Sequence, residues 1–293
     1  MLGKMLEIGK IEILLISEEI PYEQRKAMFD GTRIVLTKGQ CTDLGEEEKE
    51  LRKYQSADRL IAFILEVIKE TTAGYSYRGS DNKNKRIIGI YSPVHKIGKT
   101  TLTLKLGKTL SEEEKVLYLN LENYAGIGSY FKETQTDLLD LLYYAKQEQD
   151  DISVRIASML RKKGDLEYVP PAKVWTDLRE VPLSDWKDFF LKIERQCCYD
   201  TILLDIEDTV NDVFGFLKLC DIIVMPYTSD PYSGAKIRQY EYVLKALNLQ
   251  ELSERTIPIS LDHGIGAASK EVLGRLNDQK GRDHSNGADR TDS

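Results

Sequence analysis

The residues with the most chemistry in the smallest span are Gly98-Lys99-Thr100-Thr101, at the end of the run Ile87-Ile88-Gly89-Ile90-Tyr91-Ser92-Pro93-Val94-His95-Lys96-Ile97. An apolar strand entering a tight loop and then a helix aims backbone N–H groups and the positive helix end at one point, which makes an anion site. Gly98 lets the backbone approach phosphate oxygens, Lys99 reaches the β- and γ-phosphates, and Thr100 offers a hydroxyl to Mg²⁺. The loop His95, Lys96, Ile97, Gly98, Lys99, Thr100 and Thr101 is therefore expected to wrap the phosphates of a nucleotide. The full spacing of a P-loop, G-x-x-x-x-G-K-[ST], fails at its first glycine, where this chain has Pro93.

A second candidate lies about a hundred residues on. Asp205 ends the apolar run Thr201-Ile202-Leu203-Leu204, and ligands of open α/β sheets bind at the carboxyl ends of such strands. A carboxylate there can hold Mg²⁺ through water. An Asp that merely closes a turn or caps a helix is the other reading, and the pairing with the loop favours the metal. Glu207 and Asp208 follow, and either order Mg²⁺-bound water or cap a helix beginning near Val210, with capping the favoured reading.

Positioning these groups requires a sheet. Apolar blocks alternate with amphipathic ones, so the fold class is α/β with a mainly parallel sheet. Strands are expected at residues 86–91, 116–121, 201–204 and 221–225, and helices at 99–110, 136–163, 184–197 and 234–247. Ahead of them, residues 11–16 and 33–37 read as strands and 57–68 as an amphipathic helix. The polar stretch 79–85 reads as a linker between a leading unit, 1–78, and the main domain, 86–278. Residues 279–293 hold no Leu, Ile, Val or aromatic and are expected to be a disordered tail.

Composition narrows the class. Of 293 residues, 41% are hydrophobic and 30% charged, enough to bury a core, and 48 acids against 41 bases leave a net charge of −7. That balance argues against a general affinity for nucleic acid, whose backbone needs a basic face; Arg161-Lys162-Lys163 is the one compact basic run. Cys41, Cys197, Cys198 and Cys220 form no Cys-x-x-Cys pair, so zinc and disulfides are not expected. No transmembrane run or signal peptide is read, and the expected location is the cytoplasm.

From Arg86 to about Leu276 the sequence resembles the MinD/ParA family of deviant Walker A P-loop ATPases, and within it the TadZ/CpaE branch associated with tight-adherence pilus assembly. The resemblance is carried by Tyr91 to Val94, Gly98-Lys99-Thr100-Thr101, Val116-Leu117-Tyr118-Leu119-Asn120-Leu121-Glu122, Tyr199 to Asp205 and Cys220 to Pro226. It implies an ATP- and Mg²⁺-binding homodimer that acts as a positional switch, recruited by protein partners such as pilus or secretion assembly proteins to a membrane-associated or polar assembly. The family's cross-dimer lysine falls on Val94, so that signature is absent, and Lys96, two positions on, is the candidate substitute. The family's water-activating acid falls near Glu122, which either polarises a water toward the γ-phosphate or is a solvent-facing strand-end acid. Pro226 to Asp230 would border the adenine.

The leading unit resembles the last portion of a response-regulator receiver, with residues 11–16 as its fourth strand, Ser17 as the switch hydroxyl and Lys38 as its lysine. No phosphoacceptor aspartate matches, so docking or dimerisation is the expected role. Besides the switch ATPase, three readings stay open: a nucleotide-binding scaffold that has lost hydrolysis, a ParA-like partitioning ATPase, and a cobyrinate-type amide synthase, for which no second substrate motif is found.

Overall fold

The structure, a computed structural model, describes residues 13–39, 43–55, 59, 60, 63, 64, 67, 85–147, 152–208 and 210–288. The chain forms two compact units, residues 1–78 and 79–293. Of the expected linker only Lys85 is described, and Cys41 lies outside the described residues.

In the first unit β1 (Ile13–Ser17), β2 (Thr32–Thr37) and β3 (Glu48–Arg52) form a parallel sheet in that order, with helix α1 (Tyr22–Met28) between β1 and β2. Ile34, Leu51 and Val67 are its buried centre, and Leu60, Phe63 and Ile64, from the expected helix, pack against them. The sequence did not predict β3, because Glu48-Lys49-Glu50-Leu51-Arg52 is charged at four of five positions. Its buried charge is neutralised: Glu48 bonds Arg25 Nη2 at 2.7 Å and Arg33 Nε at 3.0 Å, all three side chains fully buried. Counting β1 as a receiver's fourth of five strands leaves no place for β3, so that strand count does not fit. Lys38 is bonded to Glu19 at 2.8 Å.

The second unit holds seven strands in the order β10-β9-β4-β8-β5-β7-β6. These are β4 (Arg86–Ile90), β5 (Val116–Leu121), β6 (Arg161–Lys163), β7 (Leu166–Tyr168), β8 (Thr201–Ile206), β9 (Ile222–Tyr227) and β10 (Thr256–Ser260). Only β6, at one edge, runs antiparallel to its neighbour. The basic run 161–163, expected to end a helix, is that short edge strand, where charged side chains are tolerated by the open side. Pro258 sits in β10, the opposite edge, where the missing N–H costs no ladder bond.

Alternation along the central strands builds two cores. Ile88, Ile90, Val116, Tyr118, Leu203 and Val224 meet α2 (Lys99–Leu110) and α10 (Ile265–Ala288), through Leu102, Leu106, Ala268, Val272 and Leu276. Leu117, Leu119, Leu121, Ile202, Leu204 and Ile206 face the other side, where α3 (Leu138–Lys146), α4 (Ile152–Met159), α6 (Leu183–Gln196), α7 (Val213–Leu219) and α8 (Pro231–Ala246) pack. Short helices α5 (Trp175–Glu180) and α9 (Gln250–Glu254) complete the unit. Helix α10 reaches Ala288, ten residues into the stretch for which composition predicts a disordered tail. A polar run without proline can prolong a helix already anchored by packing, since extension adds a hydrogen bond per residue without a new nucleus.

Candidate functional site

Strand β4 lies between β8 and β9, and its carboxyl end delivers the chain to the loop 91–98. Tyr91, Ser92 and Val94 are buried, and the Ser92 hydroxyl accepts the N–H of Val94 at 3.1 Å. Two left-handed residues then turn the chain into α2: Lys96 at φ 61° and Gly98 at φ 94°. A β-carbon on Gly98 would meet Cδ1 of Ile265 at 3.2 Å, so space as well as φ favours glycine. Gly98 is the N-cap of α2 and brings no side-chain cap, which leaves the first-turn N–H groups available to an anion.

Behind that turn four polar side chains meet. Lys99 Nζ donates to Asp205 Oδ1 at 2.6 Å, to the carbonyl of Ile206 at 2.8 Å, and pairs with Glu122 Oε1 at 2.9 Å. Thr100 donates to the second oxygen of Glu122 at 2.6 Å. Asp205 is fully buried, and Tyr118 donates to its Oδ2 at 3.2 Å while itself accepting from Asn120 Nδ2 at 2.8 Å. Parallel pairing makes this convergence obligatory: Asn120 stands opposite Asp205, and Ile90 stands on its other side.

The charges are tuned by burial and by each other. Burial disfavours the Lys99 ammonium, but the carboxylates of Asp205 and Glu122 outweigh it and hold its pKa above the ordinary lysine value. Burial raises the Asp205 carboxyl, against the pull of the Lys99 charge. It also raises the phenols of Tyr118 and Tyr91, which therefore remain hydrogen-bond donors at neutral pH.

Of the sequence candidates, the structure brings Lys99, Thr100, Glu122 and Asp205 together. His95 points instead to Asp208, with Nε2 at 3.2 Å from its carboxylate. Lys96 and Thr101 are exposed, and Ile97 is half-buried against the core. Val94, aligned with the missing signature lysine, is only 7% exposed and turned inward. Glu207 and Asp208 do not cap the following helix: Asp212 does, accepting the N–H of Gly215 at 2.9 Å. Glu207 accepts the N–H of Asn123 at 2.8 Å, and Asp208 accepts the Tyr91 hydroxyl at 2.6 Å. Tyr118, Asn120 and Tyr91 were missed by sequence reasoning. A polar Asn120 inside an otherwise apolar strand was the available signal for the pair on β5.

The residues present suit a magnesium nucleotide. Thr100, Glu122 and Asp205 form a set of hard oxygen donors, and a cation, the Lys99 ammonium, already stands between the two carboxylates. Fold and site together define an α/β protein whose mainly parallel sheet carries a glycine-turned loop and a helix start at its carboxyl edge.

Comparison with solved structures gives the same fold. The chain superposes on a ParA family ATPase from Chlorobium tepidum TLS with a TM-score of 0.50 and 17% identity, over 60% of this chain and 73% of that one. A plasmid partition protein from Borrelia burgdorferi (TM-score 0.47, 19% identity, 61% and 78% covered) and the MinC:MinD cell division complex of Aquifex aeolicus (0.44, 21%, 60% and 68%) are more distant. No protein-family model and no curated protein matches the sequence.

Proposed function

We propose that the chain binds ATP with Mg²⁺ and works as a dimeric, weakly hydrolysing switch, resembling those that mark the site of pilus or secretion assembly. The observation that carries this reading is the meeting of Lys99, Thr100, Glu122 and Asp205 at the carboxyl edge of adjacent strands, beneath an uncapped helix start.

In this reading Lys99 exchanges its carboxylate partners for β- and γ-phosphate oxygens, and the N–H groups of Gly98 to Thr101 hold the remaining phosphate charge. Thr100 and Asp205 would hold Mg²⁺, which supplies positive charge to the same oxygens. Tyr118 and Asn120 keep Asp205 oriented. Released by Lys99, Glu122 can accept a proton from a water in line with the γ-phosphate.

The switch is tested by sedimentation with saturating ATP and Mg²⁺. A shift from monomer toward dimer is expected, and an unchanged distribution removes the switch.

One observation favours a second reading. Val94 is turned inward and Lys96, left-handed and exposed, is displaced from the position of the signature lysine. A chain lacking that charge would bind nucleotide as a scaffold without turnover, and single-turnover hydrolysis separates the two. A ParA-like partitioning role is also compatible with the fold, and predicts ATP-dependent binding to nonspecific DNA, against which the net charge of −7 speaks.

A further inference from the structure

Four consecutive residues after the middle of β8 grip three different parts of the site. Asp205 and the Ile206 carbonyl hold Lys99. Glu207 holds the backbone N–H of Asn123, at the base of the loop that follows β5. Asp208 bonds Tyr91, where the phosphate loop begins, and His95 within it.

The loop held by Glu207 is built to carry a surface. Phe131 anchors its far end, buried and stacked on Tyr118 with ring centroids 5.9 Å apart. Between the anchors the chain turns at Gly126 and Gly128, both left-handed, and exposes Tyr124, Ile127 and Tyr130, with Tyr124 83% exposed. The Tyr124 ring stands edge-on to Trp175, 6.4 Å between centroids.

We propose that Glu207 and Asp208 are positioning residues that couple occupancy of the phosphate loop to the placement of the aromatic loop 123–131. The inference rests on the nucleotide reading. If Lys99 leaves Asp205 and the Ile206 carbonyl for a phosphate, segment 205–208 loses two of its bonds at once, and residues 207 and 208, beyond the β8 ladder, can shift. The side chains of Glu207 and Asp208 keep their bonds to Asn123 on one side and to Tyr91 and His95 on the other, so a shift is delivered to both loops. Coupling of this kind needs a connected set of contacts with two arrangements, and the four-residue segment supplies the connection.

Tryptophan quenching reads the effect directly. The chain has two tryptophans, Trp186, buried at 1% exposure, and Trp175, which touches the loop through Tyr124. Acrylamide quenching of the full chain, with and without the ATP analogue AMP-PNP and Mg²⁺, is expected to change on binding in the wild type. In Glu207→Ala the analogue still binds by calorimetry and the change in quenching is lost. Glu207→Gln, whose amide oxygen can accept the same N–H, restores it, which a merely structural role would not require. Asp208→Ala is expected to lose the change as well, and serves where Glu207→Ala does not fold. Wild-type quenching that ignores bound analogue, or a full response in both alanine variants, overturns the coupling. Absence of analogue binding in the wild type overturns the nucleotide reading, and this inference with it.

Discussion

Lys99 and Asp205 are joined by a 2.6 Å ion pair although 106 residues separate them in the chain. Adjacent parallel strands β4 and β8 set that meeting: Ile90 pairs with Asp205, and the loop after Ile90 returns Lys99 above it. The pair is what a phosphate would have to open. Removing one partner of a buried pair leaves the other charge uncompensated, so the two residues differ in what their loss does. Lys99→Ala strips the site of its cation and leaves the fully buried Asp205 carboxylate uncompensated, while Asp205→Ala leaves the ammonium paired with Glu122 at 2.9 Å, so Lys99→Ala is expected to destabilise the unit more.

Glu122 bonds both Lys99 and Thr100, and its role in turnover is separable from binding. Glu122→Gln keeps the shape and removes the base. Single-turnover hydrolysis should fall by roughly 10²–10⁴, the usual contribution of a positioned general base, with nucleotide affinity retained. An unchanged rate assigns water activation elsewhere.

Lys96 has φ 61°, a conformation that costs a residue with a β-carbon about 1–2 kcal/mol. Lys96→Gly should therefore raise the melting temperature of the second unit by about 2–4 °C per kcal/mol recovered. If the lysine charge serves the phosphates, the same variant weakens ATP-driven dimerisation. Stabilisation without that loss makes Lys96 a surface residue only.

Glu48 gives the leading unit a dependence on acid. Burial would raise its pKa, but hydrogen bonds from Arg25, the Gly45 N–H and Arg33 overcome that and hold it at about 2, below the ordinary value of 4.5. A carboxylate with a depressed folded-state pKa stabilises the fold above its unfolded pKa, and loses that contribution as pH falls toward the folded one. The shift corresponds to about 3 kcal/mol, present above roughly pH 4.5 and lost toward pH 2. Hydrogen exchange at Ile34 and Val35, corrected for intrinsic rates, should lose protection over that window. Constant protection contradicts the assignment.

Much of the fold was legible because its central strands are apolar and its helices amphipathic. Helix α2 runs Lys99–Leu110 and β5 runs Val116–Leu121, both at the bounds that periodicity sets. Three of the strands that stayed hidden were hidden by charge or proline. Strand β3 is highly charged, β6 is basic, and β10 contains Pro258, yet each is permitted by a buried ion pair or an edge position. In the site, Lys99 and Thr100 could be read because strand, loop and helix are consecutive, and Asp205 because it follows an apolar run. Glu207 and Asp208 could not, since their partners Asn123, Tyr91 and His95 lie more than eighty residues away and local rules suggested only a cap.

The central claim is that the loop beneath α2 binds a magnesium nucleotide, and titration calorimetry of ATP with Mg²⁺ into wild type and Lys99→Ala tests it most directly. Saturable binding to the wild type, and its loss in a variant that keeps the wild-type far-ultraviolet circular dichroism spectrum, is the predicted result. Equal heats in the two proteins, or none in the wild type, would contradict it.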